Sequence, residues 1–308
     1  MIFGPALFAN TRIVGQQVFA SDDGLDTKVF NWTVPGGVFE ISAVAVGAGG
    51  NRGLFLNDPN RGVSSGGGAL SYSNGVGVTP GEVLEILIQS GGDFGEQSPA
   101  RYSGIRRDGQ WILRAQVGGS GLFDDDNREN NYGGMGGQAV NGIGDVRHSG
   151  GAGRGSTNTG VSSGHGHGGG GAAGYGGKGG DGAAGASGMD EPTATGEDGL
   201  GGGGGGGGSA DFGRNSNGGA GGGVGLNGQG SNGAGGIYRQ VSDRHGGGGG
   251  GGSGGQNGDN GATFGFRFGG NYGGGAAYQN EEAGIGGAGA VRIIWGEDRS
   301  YPFNAGSL

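Results

Sequence analysis

Apolar and polar positions alternate with a period near two in several short stretches of the first 120 residues, and nowhere does a period of 3.6 persist. Residues 38–46 show it most clearly, with Phe39, Ile41, Ala43 and Ala45 on one side and Val38, Glu40, Ser42, Val44 and Val46 on the other. That pattern predicts a strand buried on at least one face. Further strands are expected over 12–20, 28–34, 82–89 and 111–117, because each run is rich in β-branched or aromatic residues and is bounded by turn residues, and a Gly-rich excursion over 47–68 leads into Ala69-Leu-Ser-Tyr-Ser73. The turns are Ser21-Asp-Asp-Gly24, Pro35-Gly36-Gly37 and Val78-Thr79-Pro80-Gly81. A last apolar run, Ala290-Val-Arg-Ile-Ile-Trp295, has strand length and nothing local to pair with. It is expected to return to the N-terminal sheet, so that whatever lies between is a closed insertion. The fold class that follows is all-β, a β-sandwich or jelly-roll-like core closed by the C-terminal strand.

Composition changes the picture between residues 133 and 290. Of the 94 glycines, 24 precede this stretch and 2 follow it, leaving 68 inside. So few apolar side chains cannot easily offset the roughly 1–2 kcal/mol per residue that ordering a backbone costs. Backbone hydrogen bonding remains available, since every glycine carries a donor and an acceptor. Extended helices with three residues per turn make no internal hydrogen bonds and, without side chains, can approach closely enough to bond to one another. The expectation is an inserted bundle of polyglycine II helices. Collagen is excluded because the runs 201–208 and 246–252 ignore a period of three and Pro192 is the only proline in the tract. The organisation read from the sequence is an N-terminal arm over 1–29, a core over 30–132 and 288–298, the bundle over 133–287, and a tail over 299–308.

The segments interrupting the glycines are expected at the bundle ends: 143–149, 186–195, 210–217, 237–245, 263–268 and 277–283. A leg such as 196–208 would span about 40 Å at 3.1 Å per residue. Loops on a rigid scaffold are the usual place for recognition. The receptor-binding candidates are therefore Phe212, Arg214, Tyr238, Arg239, Phe264, Phe266, Phe268 and Tyr278, residue types favoured at binding hot spots. Phe264, Phe266 and Phe268 could instead line a small strand core.

Net charge is −9 and evenly spread, with 9 basic and 14 acidic residues in 1–132. Without a basic patch, nucleic-acid binding is disfavoured. Cysteine is absent, which fits folding in a reducing cytoplasm. The N-terminus lacks a basic region before its short apolar stretch and is a poor signal peptide. No run approaches the roughly 20 apolar residues of a membrane span. His165 and His167 are weak metal candidates, because i and i+2 do not face together on a threefold helix. Gly176 to Ala184 fits a calcium nonapeptide pattern formally, but that architecture requires repeats. Asp124, Asp125 and Asp126 read as a solvated acidic loop. GxG patterns lack a βαβ context, and no serine, histidine and acid arrangement stands out. Neither a cofactor nor an enzymatic activity is expected.

Val34-Pro-Gly-Gly-Val38, Val46-Gly-Ala-Gly-Gly50, Gly66-Gly-Gly-Ala-Leu-Ser-Tyr72, Val78-Thr-Pro-Gly-Glu82 and Gly289-Ala-Val-Arg-Ile-Ile-Trp-Gly296 together resemble the glycine-rich proteins of tailed bacteriophages, notably those infecting marine cyanobacteria. The likeness covers about residues 30–302. It implies a virion protein of the tail-fibre or adhesin kind, similar in its glycine-rich domain to polyglycine fibre-tip adhesins. The partners it implies are other virion proteins and a host surface receptor, with a homotrimer plausible and the virion as location. A non-receptor decoration or spacer protein of head or tail is the alternative, and an ice- or polysaccharide-binding glycine bundle is a third.

Overall fold

The computed structural model describes residues 13–21, 26–51, 63–91, 101–121, 132–155, 167–183, 195–208, 218–237, 248, 250–251, 255, 257–258, 268–277 and 284–306. Nine strands are formed by these residues: β1 (Gly15–Ala20), β2 (Lys28–Thr33), β3 (Glu40–Val46), β4 (Leu70–Gly77), β5 (Val83–Ile88), β6 (Tyr102–Arg107), β7 (Gln110–Gln116), β8 (Val146–His148) and β9 (Ala290–Trp295). They make two antiparallel sheets, ordered β1-β9-β3-β4-β8 and β2-β5-β6-β7. The C-terminal run inserts as a central strand between β1 and β3, as its apolar composition requires.

Side-chain alternation explains the packing. Ile41, Ala43 and Ala45 of β3 and Val291 and Ile293 of β9 face Trp32, Leu84, Ile86, Ile88, Ile105 and Leu113 of the other sheet in one core. Val44, Val46, Leu70, Tyr72 and Ile294 point the opposite way, into a second core with Ala172, Ala173, Tyr175, Val224, Leu226 and Tyr301. The five-stranded sheet is therefore covered on both faces, which is why β3 and β9 are buried almost throughout. Phe39 does not join its expected partners and lies 68% exposed.

Turn chemistry positions the strands. Pro35-Gly36-Gly37-Val38 and Thr79-Pro80-Gly81-Glu82 each close with an i to i+3 hydrogen bond, and Gly37 and Gly81 take φ of 80° and 84°. Both match the type II turn, whose third residue needs positive φ. Three strands were not foreseen: β4 grows out of the Ala69–Ser73 segment, whose serines and small residues show no clear alternation. β6 is masked by Gly104 and its arginines, although Asp108-Gly109, with φ of 50° and 75°, is the signature of a two-residue hairpin joining it to β7. β8 lies within 143–149, so that segment forms an edge of the five-stranded sheet and is not a bundle-end loop. β1 and the start of β2 likewise fall inside the span read as an arm.

Glycine segments continue directly from the strands. Residues 47–51 follow β3, 63–69 precede β4, 117–121 follow β7 and 284–289 precede β9. Within 63–69 the hydrogen-bond partner changes with a period of three. Ser64 and Gly67 donate to Arg154 and Gly151, Ser65 and Gly68 to Ala276 and Gly273, and Gly66 and Ala69 to Gly119 and Gln116. Segment 167–174 repeats the rule: Gly168 and Gly171 donate to 177–183, Gly169 and Ala172 to 218–224, and Gly170 and Ala173 to 63–69. It also accepts from 149–155, 203–208 and 274–276, so six segments surround it. A β-carbon added at Gly67 would stand 2.0 Å from the Gly171 carbonyl oxygen, and one at Gly171 2.0 Å from that of Gly204. Close approach excludes side chains here.

The 196–208 run is not a single leg. Gly201 and Gly202 take φ of 55° and 80°, and Gly203 N–H bonds back to Leu200, so the run folds into two short antiparallel segments and the expected 40 Å span is lost. Despite its polarity the tail packs on the five-stranded sheet, where Tyr301 is 3% exposed.

Candidate functional site

Hydrogen-bond register sets the direction of each segment. Segment 63–69 runs toward the sheet, because Leu70 begins β4. Segment 167–174 runs the same way, with Gly170 bonded to Ser65 and Ala173 to Gly68. Segments 149–155, 177–183 and 203–208 run oppositely, as the pairs Ser64 to Arg154, Gly168 to Ala183 and Gly207 to Gly169 require. Residues 51, 63, 121, 132, 155, 167, 183, 195, 208, 218, 237, 248, 258, 268, 277 and 284 consequently share the end away from the sheets. Returns at the other end lie over 138–148, which holds β8, and over 175–177, 201–202, 226–232 and 271–273.

Phe212, Arg214, Tyr238, Arg239, Phe264, Phe266 and Tyr278 lie outside the described residues, as do His165 and the acidic triplet Asp124 to Asp126. Phe268 is described: it is 45% exposed and forms a parallel bridge with Ile285. Tyr132 and Ile237, at other segment ends, are 59% and 50% exposed. Together they place apolar surface on three separate legs of one pole. His167 is buried, and no group of three or more potential metal-binding side chains occurs among the described residues.

Polar side chains complete the lattice where a neighbouring leg is lacking. Asp181 Oδ1 accepts the Ala152 N–H at 2.6 Å, Asp198 Oδ1 that of Gly235 at 2.7 Å, and Asn51 Oδ1 that of Gly286 at 2.9 Å. Each replaces the carbonyl that another glycine segment would offer. Asp181 also holds Lys178 Nζ at 2.7 Å and Arg154 Nη2 at 3.8 Å. Such partly exposed pairs contribute little, typically under about 1 kcal/mol.

The sequence reading missed the cluster that joins bundle, sheet and tail. Arg292, in the middle of β9, is 1% exposed and donates from Nη1 to the carbonyls of Leu226 and Ala305, and from Nη2 to Gln16 Oε1 and the Gly306 carbonyl. A buried guanidinium must have its donors satisfied, and here backbone carbonyls do it. The Tyr175 and Tyr301 rings stack at 5.7 Å beside it, and Tyr175 Oη donates to the Gly225 carbonyl at 3.0 Å. Burial holds both phenols above their ordinary pKa. A lone arginine inside an apolar strand was the signal available. Burial likewise lowers His148 below the usual imidazole range.

A scan of the chain against protein-family models finds no match, and a comparison with curated proteins finds none either.

Proposed function

We propose that this protein is a structural component of a bacteriophage virion, a tail-fibre or fibre-tip adhesin that recognises a host cell surface through segments displayed at one end of a rigid glycine bundle. The observation that carries the reading is the shared pole. The connections 52–62, 122–131, 156–166, 184–194, 209–217, 238–247, 259–267 and 278–283 all begin and end there, whereas of the opposite returns 175–177, 201–202 and 271–273 are two or three residues long and 138–148 carries β8 at the sheet edge. Long connections gathered at one end of a fixed lattice are the arrangement by which loops diversify without disturbing their scaffold. We read the legs as polyglycine II helices, since a partner that rotates every third residue is what a threefold helix would produce. The sandwich is read as jelly-roll-like, because the chain passes between sheets at β1–β2, β2–β3, β4–β5 and β7–β8.

The test replaces 238–245, and separately 278–283, with glycine-serine linkers of equal length in the infectious particle. Adsorption to host cells should fall at least about tenfold, a loss of one binding hot spot or more, with the protein still incorporated. Unchanged adsorption by particles that carry the altered protein overturns the adhesin reading. A second reading, an assembly or spacer protein, is favoured by the opposite end of the sandwich. Ile13, Val14, Phe39 and Val83 expose apolar surface there, at 44, 42, 68 and 54%. An image of the particle that buries the loop pole against neighbouring virion subunits would select that reading.

A further inference from the structure

The outward face of the four-stranded sheet carries a row of stacked cations and rings that the core does not need. A β-bulge creates it. β6 and β7 pair Ile105 with Leu113 and then Arg106 with Trp111, so Ile112 is the extra residue. The bulge turns Ile112 toward the core and brings Trp111 out beside Arg106, re-aiming a side chain as bulges do. Arg106 lies over the Trp111 ring at 4.1 Å, Arg114 over the Tyr102 ring at 4.1 Å, and the two rings meet edge to face at 5.9 Å. They come together across the row in which Gly104 contributes no side chain.

The two guanidinium groups are held differently. Arg106 Nη1 bonds Glu85 Oε1 at 3.1 Å, and its Nε is covered and has no partner, so ring stacking positions it as much as hydrogen bonding does. Arg114 Nε donates to the Asn141 carbonyl at 3.0 Å, and its Nη1 and Nη2, stacked over the Tyr102 ring, form a fork with no hydrogen-bond acceptor among the described residues. Two residues along β7, Gln116 Oε1 accepts from Asn141 Nδ2 and the Gln138 N–H, which fixes its amide group. Exposed Asn31 extends the polar margin across β2.

We infer that this face binds a carboxylate-bearing polysaccharide, with the Arg114 fork taking a uronate carboxylate and the Tyr102–Trp111 edge and the Gln116 amide taking the sugar. A planar fork suits a carboxylate bidentately. Amides and ring edges suit a hydroxyl-rich, partly apolar ligand. Nucleic acid is the poorer match, because the chain carries a net charge of −9 and the face also holds Glu85. The site lies on the four-stranded sheet and does not rest on the virion assignment.

The experiment titrates the full chain with oligogalacturonate, following tryptophan fluorescence and heat, with dextran and poly-L-glutamate as controls. Saturable binding of oligogalacturonate that weakens with salt is expected, with dextran silent and polyglutamate much weaker. Arg114→Gln should weaken it about tenfold while leaving the melting temperature unchanged, and Arg114→Lys, which keeps the charge without the fork, should fall between. Should Arg114→Gln prove misfolded, Gln116→Ala serves as the second variant and should weaken binding severalfold. Absence of saturable binding, equal binding of polyglutamate, or undiminished binding by folded Arg114→Gln overturns the inference.

Discussion

In the sandwich, Ile293 and Leu84 are buried because their side chains fill the space between two sheets; in the bundle, Gly67 and Gly171 are buried because they have none. The sandwich follows the ordinary rule that apolar volume removed from water stabilises the fold. In the bundle the separation between backbones is so small that a single methyl group meets a carbonyl oxygen. Its cohesion comes from hydrogen bonds between segments far apart in sequence, each worth only about 1 kcal/mol net but costly to leave unmade when buried. The two regions are joined at the outer face of the five-stranded sheet, where Tyr72, Tyr175, Tyr301 and Arg292 supply side-chain packing that the bundle lacks internally.

Opposite substitutions should therefore break the two regions. Ile293→Ala empties core volume and should cost about 4 kcal/mol, read as a lowered denaturant midpoint. Gly67→Ala adds volume and should cost about 3 kcal/mol, since the backbone on either side must shift. Gly36→Ala, where nothing lies within 4 Å, should change stability by less than about 0.5 kcal/mol in the same assay. If Gly67→Ala proved as neutral as Gly36→Ala, close packing of the legs would be wrong. At the junction, Tyr175→Phe removes the bond to Gly225 and should cost about 1–2 kcal/mol.

A pH series sharpens the junction further. Tyr175 and Tyr301 have folded pKa values raised above the ordinary 10 of an unfolded tyrosine. Above pH 10 the unfolded chain loses these protons first, so stability should be full below pH 10 and fall as pH rises beyond it. His148 acts at the other end, because its folded pKa is lowered from 6.5 and the unfolded chain takes up the proton more readily. Stability should decline as pH drops below about 6.5. Replacing His148 with Gln should flatten the acid limb alone, measured by thermal melts across pH.

Much of this architecture is legible in the residue order. The alternation of 38–46, the two Pro-Gly turns and the apolar run at 290–295 each rest on local chemistry, and each appears where the sequence puts it. β6 was hidden because Gly104 and two arginines obscure its alternation, and β8 because Val146-Arg147-His148 is too short to show any. The turn at Gly201–Gly202 could not be located inside an unbroken glycine run, where no residue differs from the next. Of the proposed recognition residues, the sequence named types and segments; Phe268 alone is described, on an exposed leg end.

By itself the sequence determined that the chain would be all-β, that its last strand would return to the first sheet, and that the glycine tract would need backbone bonding to be ordered. Those follow from period-two patterning and from the absence of side chains, both local properties. Only the tertiary structure decided which leg bonds to which, that the legs share one distal pole, that Arg292 is buried among carbonyls, and that a bulge turns Trp111 outward beside Arg106. Glycine-to-glycine pairing carries no chemical label, so the choice of partner is made by chain connectivity and by the few Asp, Asn, Tyr and Arg side chains at the margins.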